Sequence, residues 1–120
     1  MLNLPPATKR SVQSYLRYMS APGSSISKEY AEYLARVIRG TRHPMVKHRE
    51  FTDAELGSIR APALLVFGDH EVSVEYEKVV ERARRCIPTL RVEIVAGAGH
   101  ALQGEKPAEV SGLMLRHLEA

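Results

Sequence analysis

A chain of 120 residues, 44% hydrophobic and 26% charged, is long enough for one globular domain with one modest core. Its net charge of +3 is mild, and its densest basic run, Arg82-Ala83-Arg84-Arg85, alternates with Glu75, Glu77 and Glu81 and has no aromatic interleaved, which reads as a solvated helix face and not a nucleic-acid patch. The single Cys86 excludes an internal disulfide and a cysteine-rich zinc site. No stretch approaches the roughly 18 apolar residues of a membrane span, and the N-terminus lacks the charged-then-apolar order of a signal peptide, so the cytoplasm is the expected location.

After Pro5-Pro6, the apolar positions Val12, Tyr15, Leu16 and Met19 recur at helical spacing until Ala21-Pro22-Gly23-Ser24-Ser25 breaks the pattern. Ser27 reads as the N-cap of a second helix with Tyr30, Leu34, Val37 and Ile38 on one face and Gly40 as its stop. Residues 41–50 carry no period and read as a loop. Thr52-Asp53-Ala54-Glu55 is a capping box, in which the hydroxyl and the carboxylate satisfy each other's free amides. Gly57 and Pro62 follow closely and keep that helix short.

From Pro62 onward the pattern becomes β-α-β-α. Ala63-Leu64-Leu65-Val66-Phe67 is a continuous apolar run, as expected of a parallel strand buried on both faces. Ser73 then reads as the cap of a helix whose buried side holds Tyr76, Val79, Val80, Ala83 and Ile87, with Cys86 a small core residue on the same side. Leu90-Arg91-Val92-Glu93-Ile94-Val95 alternates, as a strand does when one face is buried more deeply. Pro107 suits the first turn of a last helix bearing Val110, Leu113, Met114 and Leu118 on one face. A strand-helix-strand unit of this length implies a right-handed parallel crossover. Two strands make a poor sheet, and the apolar edge of strand 63–67 predicts self-association or pairing with another segment.

Each strand is followed by a turn rich in chemistry: Gly68-Asp69-His70-Glu71 after the first, Gly97-Ala98-Gly99-His100 after the second. Functional groups in open α/β sheets gather at such strand ends. Histidine suits general-base work because its unperturbed pKa lies near neutrality. The preceding glycines let the backbone turn sharply enough to present the ring. No two glycines in the chain stand four apart, so a Gly-x-Ser-x-Gly nucleophile turn is absent from it.

Three stretches together resemble the C-terminal portion of the α/β-hydrolase superfamily. They are Phe51-Thr52-Asp53-Ala54-Glu55-Leu56, then Ile59-Arg60-Ala61-Pro62-Ala63-Leu64-Leu65-Val66-Phe67-Gly68, and Gly97-Ala98-Gly99-His100. The resemblance implies a partial α/β-hydrolase fold, with residues 1–50 as a cap-like helical segment and 51–120 as the β-α-β-α part of the hydrolase domain. It also implies a serine-histidine-acid relay in which an acid precedes the histidine along the chain. His100 takes the base role and Glu71, at the Gly-x-x-acid position, the acid role, with Asp69 as the alternative acid. A complete hydrolase of this kind is roughly twice the present length.

No cofactor and no metal is expected: an Asp-His-Glu run on an extended turn points its side chains apart, so His70 and His100 make a poor metal pair. His43, His48 and His117 read as surface residues, and Ser24, Ser25 and Ser27 lie in a linker with nothing to expose a nucleophile. The function that follows is the acid-base half of an acyl hydrolase, acting on a small-molecule acyl substrate once completed and nearly inactive alone. The alternative is a non-catalytic interaction or dimerisation module built from the same fragment.

Overall fold

The computed structural model describes residues 9–41 and 48–120, so Pro5, Pro6, His43 and most of the loop expected over 41–50 lie outside the described residues. α1 (Lys9–Met19) and α2 (Lys28–Gly40) pack on each other. Val12, Leu16 and Met19 of α1 meet Ala35 of α2, with Ile26, Tyr30, Ala31, Leu34 and Ile38 around them. Ser27 caps α2 by accepting from the Tyr30 N–H. The buried face of α2 is rotated from the expected one toward Ala31 and Ala35, and Val37 is left exposed. Two alanines let α1 approach more closely than a valine would. Tyr15, at the edge of the α1 stripe, is half exposed.

α3 (Asp53–Gly57) begins with the capping box in full: Thr52 Oγ1 accepts from Glu55 N at 3.2 Å and Glu55 Oε2 accepts from Thr52 N at 2.8 Å. Arg49 donates to both Glu55 oxygens, at 2.8 and 3.1 Å. Chiefly this guanidinium, with the Thr52 N–H second, brings the Glu55 carboxyl down to about 2. Thr52→Ala is expected to destabilise the fold by about 1 kcal/mol, read as a lower urea midpoint. The stabilisation tied to ionised Glu55 is complete above its ordinary value of 4.5 and disappears as pH falls through about 2.

β1 (Ala63–Gly68) and β2 (Leu90–Val95) pair in parallel, from Ala63 opposite Leu90 to Gly68 opposite Val95, and α4 (Tyr76–Cys86) connects them. On one face Val66 and Val95 pack with Leu113 of α6 (Pro107–Leu118). On the other, Phe67 meets Tyr76 of α4 with ring centroids 5.8 Å apart. Arg82 of α4 donates to Asp53 at 2.9 Å and to the Phe51 carbonyl at 2.5 Å, so part of the basic run ties α4 to α3.

Five further expectations are corrected. β1 is half-buried and not buried on both faces, because among the described residues a single strand pairs with it in a two-stranded sheet. The most buried residue of β2 is Val95, 1% exposed, whereas Ile94 on the apolar alternation is exposed: Val95 packs against Leu113 of α6. Cys86 is half-buried, and Met114 and Leu118 are exposed while Val110 and Leu113 carry the α6 contact. Ser73 caps no helix. α4 starts at Tyr76 with Glu75 at the cap position and no side-chain cap bond, and Ser73 bonds elsewhere. A short helix, α5 (Leu102–Glu105), stands between the histidine turn and α6. No described helix is long and apolar enough to cross a membrane.

Candidate active site

Because β1 and β2 run parallel, their C-terminal ends lie at the same edge of the sheet and their turns emerge side by side. The two turns are stitched together through the backbone. Asp69 N donates to Val95 O at 3.1 Å and His70 N to Ala98 O at 2.9 Å. In return, Asp69 Oδ1 accepts from Gly97 N at 2.8 Å and Ala98 N at 3.3 Å. Gly97 has φ of 65°, in the left-handed region that suits glycine. At Gly68 the reason for glycine is space, since a Cβ there would overlap the Ala98 carbonyl.

The histidine turn is held from its other side as well. Glu105 of α5 accepts from Gly99 N through Oε1 at 2.9 Å and from Ala21 N through Oε2 at 2.8 Å. Ala101 N donates to Met19 O at 3.2 Å. One carboxylate therefore bridges the histidine turn to the link between α1 and α2. Ala98, in the middle of the turn, is 0% exposed. A turn whose amides are paired on both sides is a stiff base for the side chain that follows it.

That side chain is His100. Its Nδ1 lies 2.8 Å from Glu71 Oε2, and Glu71 is almost wholly enclosed, with 2% of its side chain exposed against 47% for His100. Ser73 completes the cluster: its N–H and its hydroxyl both reach Glu71 Oε1, at 2.7 and 2.6 Å, and its Oγ lies 3.1 Å from His100 Nδ1. Burial pushes the Glu71 carboxyl up, but the two Ser73 donors, followed by the hydrogen bond and charge of His100, outweigh it and leave the group below its ordinary value. An ionised carboxylate only accepts, so Nδ1 carries the hydrogen of the neutral ring and Nε2 is its basic nitrogen. The arrangement can take up a proton at Nε2 and stabilise the resulting imidazolium with the Glu71 charge.

Of the three residues singled out from the sequence, the structure brings Glu71 and His100 together and turns Asp69 to the backbone of the histidine turn. Asp69 Oδ1 also meets His70 Nδ1 at 2.7 Å, and this bond above all, opposed by burial and aided by Gly97 N–H, keeps the Asp69 carboxyl below its ordinary value. His117 Nε2 sits 3.3 Å from the Pro62 carbonyl. Among the described residues no group of three or more His, Cys, Asp or Glu side chains is arranged to hold a metal. A cavity of about 820 Å³ lies between α1 and α2, lined by Val12, Leu16, Ile26, Arg17, Arg36 and Arg39, and neither Glu71 nor His100 lines it.

Sequence reasoning missed Ser73 and Glu105. The spacing of Ser73, two residues beyond Glu71, was the available signal, because a hydroxyl at that offset can bond the carboxylate before it across a turn. Glu105 gave no local signal.

No family model matches the chain. A stretch of 68 residues is 44% identical to carboxylesterase YbfK of Bacillus subtilis, covering 57% of this chain and 23% of that protein. A stretch of 70 residues is 39% identical to the uncharacterized carboxylesterase nap of the same organism, covering 58% and 23%. The crystal structure of carboxylesterase CesB (YbfK) superposes on 93% of this chain with a TM-score of 0.75 and 30% identity. The chain carries the C-terminal portion of an α/β-hydrolase fold. This hydrolase portion covers 42% of the CesB chain, and its matched stretch about a quarter of the curated relatives. It is a carboxylesterase-like fragment, and within it Glu71, Ser73 and His100 all lie in the β-α-β-α part.

Proposed function

We propose that this chain supplies the acid and the base of a serine carboxylesterase whose nucleophile comes from a Gly-x-Ser-x-Gly strand outside residues 1–120. The observation that carries the reading is the 2.8 Å contact between the enclosed Glu71 carboxylate and His100 Nδ1. In the reaction, Nε2 of His100 takes the proton of the attacking serine hydroxyl as its oxygen bonds to the ester carbonyl carbon. Glu71 faces the imidazolium so formed, and the ring returns the proton to the departing alkoxide as the carbon–oxygen bond breaks. Water repeats the sequence on the acyl-serine. The substrate class is a small acyl ester, and no cofactor is needed for these steps.

Alone, the chain lacks the attacking oxygen and is expected to be nearly inactive. Exposed Ile94, Met114, Leu115 and Leu118 are apolar surface that the nucleophile-bearing part would cover. The test is complementation: co-expression with the N-terminal portion of a carboxylesterase relative, followed by an assay with a chromogenic short-chain ester. Turnover is expected in the mixture only, and His100→Ala in this chain abolishes it. Turnover that survives His100→Ala removes the base assignment. A stable dimer through the β1 edge with no turnover in any mixture favours an interaction module instead.

A further inference from the structure

We propose that Ser73 is a positioning residue for the Glu71–His100 pair: its N–H and hydroxyl pin one oxygen of the Glu71 carboxylate so that the other meets His100 Nδ1, and its own oxygen shares that Nδ1 hydrogen. The pair is read here as the acid and base proposed above. Glutamate carries one more rotatable bond than aspartate, so a glutamate acid needs more to hold it. Ser73 supplies two donors to Oε1, at 2.7 and 2.6 Å, which fix the carboxylate plane and leave Oε2 at 2.8 Å from Nδ1. A hydroxyl has a single hydrogen. With that hydrogen given to Oε1, Ser73 Oγ turns a lone pair toward Nδ1, 3.1 Å away. The Nδ1 hydrogen is therefore held by a three-centre bond to Oε2 and Oγ, and the imidazole is steered by two acceptors on different atoms.

The same geometry argues against Ser73 as an attacking group. It faces Nδ1, the nitrogen that Glu71 keeps protonated, so the imidazole offers its hydroxyl no basic nitrogen, and the hydroxyl hydrogen is already committed to the Glu71 carboxylate. Ser73 is itself exposed, so its hydroxyl reaches inward to Glu71 without filling core space, and its replacement leaves the packing of the sheet intact.

The inference is tested on the intact chain by side-chain carboxyl and imidazole NMR titrations of the native protein, Ser73→Ala, Ser73→Thr and Glu71→Gln. In Ser73→Ala the Glu71 titration is expected to move up and the His100 Nδ1 hydrogen signal to change, while Ser73→Thr, which keeps the N–H and the hydroxyl, restores native values. Ser73→Ala spectra that match the native ones while Glu71→Gln changes the His100 signals overturn the role of Ser73 alone. Should Glu71→Gln also leave His100 unchanged, the acid-base pair itself is wrong. Intact mass after fluorophosphonate treatment closes the remaining route: no adduct is expected, and an adduct on Ser73 would make it a nucleophile and overturn the positioning role.

Discussion

In the completed hydrolase, Glu71→Gln is expected to lower turnover by roughly three to four orders of magnitude, and Asp69→Asn by far less. Glutamine keeps the size of the side chain but removes two things. Its neutral amide no longer enforces hydrogen on Nδ1, so Nε2 ceases to be reliably the basic nitrogen, and it offers no charge to the imidazolium. The loss should fall on kcat, because the ring charges only as the reaction proceeds. Asp69 bonds Gly97, Ala98 and His70, so Asp69→Asn loosens the histidine turn and is read mainly as a lower urea midpoint. An Asp69→Asn variant that keeps its native midpoint yet loses turnover as severely as Glu71→Gln would transfer the acid role to Asp69.

The same carboxylates set an acid limit. Glu71 and Asp69 sit below their ordinary values of 4.5 and 3.8, so each binds its proton less readily folded than unfolded. Their stabilisation is present above those ordinary values and fades as pH falls below them through the lower folded values. The urea midpoint should therefore drop on acidification from about 4.5 downward. The drop should be shallower in Glu71→Gln, which has no proton to gain at that position.

The strands and the two turns could be read directly because glycine and proline punctuate them. Pro62 and Gly68 bracket β1, and Gly97 and Gly99 mark the bend before His100. The choice between Asp69 and Glu71 could not be read, since two carboxylates two residues apart differ only in direction. The fold separates them: Asp69 turns back to the amides of Gly97 and Ala98, and Glu71 turns in to His100. Ser73 was misread because capping a helix and capping a carboxylate use the same hydroxyl, and only the start of α4 at Tyr76 distinguishes them. Glu105 was invisible for a different reason. One of its partners, Ala21 N, is 84 residues away, and four-residue α5 is too short to show a period. The misjudged burial of β1 has the same root. A continuous apolar run reports what a strand can tolerate on both faces, and the neighbours that would cover it are a property of the whole sheet.

Gly68→Ala is expected to destabilise the fold by about 3 kcal/mol, the upper end of what an overlap that the backbone must absorb usually costs. The alanine methyl would fall on the Ala98 carbonyl and lie within 2.7 Å of Gly99 O. Neither neighbour is free to retreat. Ala98 and Gly97 are held by Asp69, Gly99 by Glu105, and Gly68 itself is the last residue in register with Val95. Relief therefore means opening the end of the sheet or lifting the histidine turn, and either one separates Glu71 from His100. Two controls isolate the cause. Gly97→Ala meets open space apart from the Lys106 ammonium at 3.9 Å but keeps φ of 65°, so it pays only the left-handed penalty of roughly 1–2 kcal/mol. Gly40→Ala meets nothing within 4 Å at the end of α2 and should be neutral or slightly stabilising. Urea midpoints ranked with Gly68→Ala lowest, Gly97→Ala intermediate and Gly40→Ala near native support the close approach of the two turns. A Gly68→Ala protein as stable as the native chain would mean that the turns stand further apart, and the contact between Glu71 and His100 would lose the scaffold that places it.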